Sequence, residues 1–137
     1  MKSKVLASLF IAVVIGCLFS AFKPQETGQV YFIRSSNYVG SLVNNKVYID
    51  DSLVCHLKNQ HYSVHAVSAG EHTVSVSNTG LSKHTKSKPL KIKVVANKNN
   101  YILVSSGKQL TTQELVESSA QELLKKVVAT TNCGSPK

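Results

Sequence analysis

Residues 90–94 read Leu90-Lys91-Ile92-Lys93-Val94, three apolar side chains alternating with two lysines. A period of two places Leu90, Ile92 and Val94 on one face of an extended chain and both ammonium groups on the other. That is the pattern of a strand with one face on a core and one in water. Asn97-Lys98-Asn99-Asn100 follows, and asparagine accepts positive φ more readily than most residues. The chain is therefore expected to turn back into a partner strand, Tyr101-Ile102-Leu103-Val104. On the other side, His72-Thr73-Val74-Ser75-Val76-Ser77 repeats the alternation, with Val74 and Val76 expected inside and Thr73, Ser75 and Ser77 outside. Residues 78–88 hold glycine, serine and lysine without apolar periodicity and read as the longest loop.

Nearer the amino terminus the same signals recur. Val30-Tyr31-Phe32-Ile33-Arg34 is rich in aromatic and β-branched residues. Val47-Tyr48-Ile49 and Leu53-Val54-Cys55-His56-Leu57 flank Asp50-Asp51-Ser52, a hairpin signal because short polar side chains tolerate turn geometry and bond to their own backbone. Leu53, Cys55 and Leu57 share one face, so Cys55 is expected to point inward. Tyr62 to Val67 alternates until Ser68-Ala69-Gly70-Glu71 breaks it. Seven strands between residues 30 and 106 predict a mainly β fold, a small antiparallel β-sandwich. Thr111 and Glu114 then have capping-box spacing, and Leu115, Val116, Ala120, Leu123, Leu124 and Val127 recur at helical spacing. These residues predict one C-terminal α-helix over 111–129 and a tail over 130–137.

The chain has 137 residues, 42% of them hydrophobic and 17% charged, and a net charge of +9. An eight-fold β/α barrel or similar large enzyme fold, which needs roughly 200 residues or more, is excluded by length. Disorder is excluded by apolar content. Lys2 and Lys4 precede an apolar run from Val5 to Phe22 that ends at Lys23-Pro24, the order of an export signal. Residues 1–22 are thus expected to form an N-terminal apolar signal or anchor helix, followed by a linker over 23–29. Its end has three readings. Val14-Ile15-Gly16-Cys17 resembles a lipobox in which Cys17 is lipidated, although Leu18 and Phe19 continue the apolar run. Alternatively a peptidase cuts near Ser20 or Ala21, or the run stays uncut as a short membrane anchor. All three put the rest of the chain outside the cytoplasm. Removing Met1 to Ala21 takes away two lysines and leaves 14 minus 7, or +7.

Val30-Tyr31-Phe32-Ile33-Arg34-Ser35-Ser36-Asn37-Tyr38-Val39-Gly40-Ser41 resembles the opening of the bacterial domain of unknown function 2846, "VYVYRPSxxVGS". Val47-Tyr48-Ile49-Asp50 is similar to its "VYVDG" hairpin, Val67 to Val74 to its "VxPGxHTL" turn, and Tyr101-Ile102 to its "GKxYYV" strand. The similarity covers about residues 29 to 105. Asp51 and Asn97 stand where that family favours glycine and Ala69 where it favours proline; Asp and Asn still tolerate left-handed turns. The resemblance implies an exported, often lipid-anchored protein with a sandwich of the transthyretin or carboxypeptidase-regulatory kind and no assigned activity.

No residue set reads as catalytic, and neither a cofactor nor a metal site is expected. His56, His61 and His65 fall within ten residues, with His72 following, but strand parity does not converge them. His65 and His72, on strands joined by a turn, are the one pair expected to meet, which is short of the three or four ligands zinc takes. Cys55 and Cys133 are a candidate disulfide, with a buried free Cys55 as the alternative. Cys55 and His56 point to opposite faces and do not read as a dyad. Between His72 and Gln113 lie seven lysines and no carboxylate. Lys83, Lys86, Lys88, Lys91 and Lys93 form a candidate basic patch for anionic lipid or an envelope polymer, the alternative being a solvated face that blunts a sheet edge. Nucleic acid is not expected, because export removes the protein from it and no arginine and aromatic platform is present. Arg34, the single arginine, is expected to fork onto Asp50, Asp51 or Glu114. Tyr31, Tyr48, Tyr62 and Tyr101 read as packing residues. The resulting expectation is a non-catalytic binding or structural module of the bacterial cell envelope, periplasmic or membrane-associated through its N-terminal segment, with another envelope protein or an anionic polymer as partner.

Overall fold

A computed structural model describes residues 24–36, 42–79, 86–107 and 109–133. The expected signal or anchor, Cys17 and Lys83 lie outside the described residues. The chain forms β1 (Thr27–Arg34), β2 (Asn45–Ile49), β3 (Ser52–Leu57), β4 (His61–Ser68), β5 (Gly70–Asn78), β6 (Leu90–Val94), β7 (Asn99–Ser106) and β8 (Leu110–Leu115). Helix α1 (Glu117–Leu124) and the two-residue β9 (Val128–Ala129) complete it. The fold is mainly β, as the alternating segments require.

The strands make two sheets, ordered β8-β7-β1-β4-β9 and β3-β2-β5-β6. Their inner faces share one core: Val30, Phe32, Val67, Ile102 and Val104 from the first meet Val47, Cys55, Leu57, Val74, Val76, Ile92 and Val94 from the second. The expectation of an all-antiparallel arrangement is corrected here. β1 runs parallel to β7, and β4 parallel to β9. The chain leaves the first sheet after β1, builds the β2–β3 hairpin, and returns as β4; it leaves again for β5 and β6 and returns as β7 on the other flank of β1. A strand arriving from the opposite layer is free to enter from the same end as its neighbour.

The passage from β4 to β5 is the tightest crossing. Only Ala69 separates the two strands, its N–H donating to Glu26 O at 2.9 Å, and Gly70 takes φ +143°, which side chains rarely adopt. His65 and His72 consequently belong to different sheets, and the expected pair does not form.

The helix expected over 111–129 is shorter. Leu110 to Leu115 extend instead and pair antiparallel with β7, from Ser106↔Leu110 to Tyr101↔Leu115. Thr111 and Glu114 are strand residues, and the helix begins after Val116 with no side-chain cap. The β7 edge offers backbone partners along six residues, more than a capping box can satisfy. What remains helical keeps its apolar stripe: Ala120, Leu123 and Leu124, with Val127 just beyond the helix, pack with Tyr31, Ile33, Tyr62 and Tyr101 on the outer face of the first sheet.

Three smaller expectations also change. The linker reading of 23–29 overlaps β1, which begins at Thr27. A bulge pairs Val47 with Cys55 and Tyr48 with Leu53, so Val54 packs against the core and Leu53 leaves the Cys55–Leu57 face. Ser75 and Ser77 are buried, not outside. The end of the long loop pairs with the β5 edge beside them: Ser87 N donates to Val76 O at 2.8 Å, and Ser87 Oγ accepts from Val76 N at 3.0 Å.

Gly28 marks where the β6–β7 turn presses on β1. A Cβ there would lie 2.6 Å from Val95 O, 2.8 Å from Val94 Cγ1 and 2.9 Å from Lys98 O. Two of the three atoms are carbonyl oxygens fixed by the turn, which also bonds β1 through Gln29 N to Lys98 O and Asn97 N to Thr27 O, each 2.9 Å. Gly28→Ala is expected to destabilise the domain by about 1–3 kcal/mol, the usual cost of overpacking. Urea unfolding checks this: the midpoint falls while the slope stays constant.

Candidate functional site

The β2–β3 hairpin closes on Asp50 and Asp51, with φ of +47° and +62°. Both central residues left-handed is the geometry of the two-residue type I′ turn, whose twist matches the flanking strands. It also aims Asp50 sideways at β5. With Ile49 opposite Val74, Asp50 lies level with Thr73, and Asp50 N donates to Thr73 O at 2.8 Å. Its Oδ1 accepts from Thr73 N at 2.9 Å and from Thr73 Oγ1 at 3.3 Å, while Oδ2 lies 2.6 Å from His72 Nδ1. On the other side of the ring, His72 Nε2 is 2.8 Å from Ser68 O and 3.4 Å from Ser68 Oγ.

Asp50, His72 and Ser68 thus occupy the order of a hydrolase triad, but the chemistry differs. A general base needs a lone pair on the nitrogen facing the hydroxyl. Here the nearer partner of Nε2 is a carbonyl oxygen, which accepts only, so Nε2 is placed to donate. With acceptors at both nitrogens the imidazolium form is favoured. The hydrogen bond to Asp50 raises the His72 pKa, partly offset by burial, with further support from the Ser68 carbonyl and the Asp50 charge. The Thr73 backbone N–H, followed by His72, holds the Asp50 carboxyl below its usual range. The arrangement is a charge-assisted lock between hairpin turn and sheet crossing. Beside it lies a cleft of about 190 Å3 lined by Asp50, Glu71, His72, Thr73 and Lys91. Ligand pockets generally run from about 300 Å3 upward, so this one suits water or a small ion.

The basic patch is less uniform in space than in sequence. Lys88, Lys91 and Lys93 are exposed, the latter two on β6 at the edge of the second sheet. Lys86 is taken: its Nζ lies 2.6 Å from Asp51 Oδ1 and 5.0 Å from the centre of the Tyr48 ring. Lys93 stands opposite Glu71 in the β5–β6 register. Neighbouring strands therefore supply carboxylates to the carboxylate-free stretch. Lysines on an edge strand also deter pairing with another chain.

Cys55 and Cys133 are joined by a disulfide that closes a sequence separation of 78 residues. His65 lies with them: one ring nitrogen and the two sulfurs fall within 4.8 Å of one another. Its Nε2 is 3.1 Å from Ser63 Oγ, its ring meets Phe32 edge-on, and burial lowers its pKa. Elsewhere His61 Nδ1 lies 2.7 Å from Asn59 O, and the backbone N–H of His56 donates to Cys133 O at 3.1 Å. Strand parity was the available signal for this cluster, since Ser63, His65 and Val67 share the inner face of β4 as Cys55 and Leu57 share that of β3. Cys133, in an aperiodic tail, carried no such signal. The Asp50–His72 lock was legible only by counting register back from the hairpin turn.

Arg34 does not fork onto the expected carboxylates, which are engaged elsewhere: Asp50 with His72, Asp51 with Lys86 and Glu114 with Asn100. Its buried guanidinium donates through Nη1 to Val43 O at 2.7 Å and Leu57 O at 3.1 Å. Tyr31 packs on Tyr101 and Tyr62 beneath α1, with ring centres 5.0 and 6.3 Å away.

The family model described as "Protein of unknown function (DUF2846)" matches residues 24–115. Among curated proteins and among solved structures, none matches the chain.

The lock has a pH signature. A raised His72 pKa means that its contribution is complete below its unfolded value of about 6.5 and fades as pH rises through the higher folded value. The lowered Asp50 pKa means that its contribution is present above about 3.9 and is lost as pH falls through the depressed value. The lock is thus strongest between about pH 4 and 6.5. In an NMR titration the His72 ring should have a midpoint above that of an ordinary histidine. Asp50→Asn should bring it down and remove the decline in stability attributable to His72 above that window.

Proposed function

Because the chain belongs to the DUF2846 family of proteins of unknown function, we propose that it is an exported protein of the cell envelope whose β domain is a non-catalytic binding or structural module. The observation that carries this reading is the Cys55–Cys133 disulfide, a bond that persists in oxidising compartments. It agrees in direction with Lys2, Lys4 and the apolar run Val5 to Phe22. The non-catalytic part is supported by His72, whose two ring nitrogens both face acceptors, and by the small cleft beside it. The paired sheets of five and four strands are compatible with a sandwich of the transthyretin or carboxypeptidase-regulatory kind.

The membrane is reached through the N-terminal segment, either by lipidation of Cys17 or by the apolar run itself. Among the described residues no helix is long and apolar enough to cross a membrane. Fractionation of cells making the full chain, with mass spectrometry of the mature protein, tests this. The expected result is an envelope fraction with Cys55 and Cys133 oxidised; a full-length, thiol-reduced protein in the cytoplasm would overturn the reading. A diacylglyceryl adduct on Cys17 or an intact terminus identifies the mode of attachment, whereas a cut near Ser20 or Ala21 identifies a released, periplasmic protein.

A second reading, binding of anionic lipid or another polyanion, is favoured by the exposure of Lys88, Lys91 and Lys93. Replacing Lys83, Lys86, Lys88, Lys91 and Lys93 by glutamate should abolish sedimentation with phosphatidylglycerol vesicles if those lysines hold the surface. Unchanged sedimentation sinks that reading and leaves the first intact.

A further inference from the structure

We propose that reduction of the Cys55–Cys133 bond opens a zinc site formed by Cys55, His65 and Cys133, so that the disulfide is the closed state of a redox-gated metal site. The inference goes beyond the proposed role and does not depend on which partner the module binds.

The donor set is the first argument. Two thiolates and an imidazole are zinc ligands, and three protein ligands with one open position is a recurrent arrangement. Their ligand atoms lie within 4.8 Å of one another across three separate elements, β3, β4 and the tail. Tetrahedral zinc with Zn–S bonds of about 2.3 Å places two sulfurs about 3.8 Å apart. Reduction frees both cysteine side chains to rotate about χ1, the motion by which the sulfurs would separate to that distance.

Backbone hydrogen bonds hold the tail beside β3 and β4 in addition to the disulfide. The tail is held by Val128 N to Gln60 O at 3.0 Å, Thr130 N to Tyr62 O at 2.7 Å, and His56 N to Cys133 O at 3.1 Å. Cys55 is wholly buried in the core, so its thiolate would lie in a largely desolvated setting where an ion partner matters most. His65 is packed edge-on by Phe32 and contacted by Ser63 Oγ, which limits rotation of the ring.

The exchange balances. A dithiol reductant breaks the S–S bond, delivering two electrons and two protons to the sulfurs while closing to its own disulfide. Zinc then displaces the two thiol protons to solvent as it binds. In the reverse direction a disulfide oxidant takes two electrons from the two zinc-bound thiolates through a mixed disulfide and leaves as its own dithiol, while Cys55 and Cys133 rejoin and the ion is released to solvent.

The test is zinc titration of the full chain against a chromophoric competitor, with and without a trialkylphosphine. The reduced protein should bind one zinc ion per chain and the oxidised protein none at that site. Cobalt in place of zinc should show sulfur-to-metal charge transfer. Loss of an outer-shell partner typically weakens metal affinity roughly 10- to 100-fold, so removing a ligand by His65→Ala should cost at least roughly tenfold. His61→Ala should leave affinity unchanged. If reduction unfolds the chain, zinc should refold it. Absence of zinc uptake by the reduced protein, uptake unaffected by His65→Ala, or a reduced, unfolded chain that zinc does not refold would each overturn the proposal.

Discussion

Burial of both faces of β1 is the constraint from which most of the fold follows. Val30 and Phe32 enter the core between the sheets, while Tyr31 and Ile33 lie under α1. A strand covered on both sides has no water for its backbone, so both edges must be paired as well. β4 takes one and β7 the other, the second in parallel. A parallel neighbour cannot be joined by a tight hairpin, and the connection here contains the whole second sheet. The order of the chain, the sheet crossing at Ala69 and Gly70, and the helix returning over the outer face all serve the same buried strand.

Arg34 ends that strand and shows what such burial demands. Desolvation lowers its pKa, but an arginine begins far above neutrality and stays charged. The guanidinium is held in part by carbonyl dipoles of Val43 and Leu57, from the approach to β2 and the end of β3. A cation on backbone carbonyls fixes two chain segments against β1 without needing a carboxylate at a set position. Removing it would leave two buried acceptors to be satisfied some other way.

Alternation made β4, β5 and β6 legible, whereas β1, covered on both faces, was legible from its aromatic and β-branched content. The cases that escaped are those where the second face is covered from afar. Ser75 and Ser77 look solvent-facing in sequence, yet both are buried: Tyr48 on the neighbouring strand stands opposite Ser75 and accepts from Ser77 Oγ at 3.3 Å. Leu110 to Leu115 reads as the start of a helix because threonine and glutamate have capping spacing, and only the open β7 edge decides otherwise. Asp50 was legible as a turn residue, while its bond to His72 depends on register between β2 and β5, which local pattern does not encode. The lysine stretch is the same lesson in charge: its nearest carboxylates, Asp51 and Glu71, come from other strands.

The side of the two sheets where β3 faces β4 is where stability and chemistry coincide. The tail pairs with β4 through β9 and then reaches β3 at Cys133, spanning the two sheets. Closing a loop of that length contributes about 4–5 kcal/mol in the chain-entropy model, a large part of what a domain of this size has. A reduced chain loses this term unless something else joins β3 to the tail. The backbone bond from His56 N to Cys133 O is worth only about 1 kcal/mol and does not replace it. A divalent ion on the same sulfurs would restore the cross-link, and His65, already packed beside them, supplies the third bond that a cross-link alone does not require.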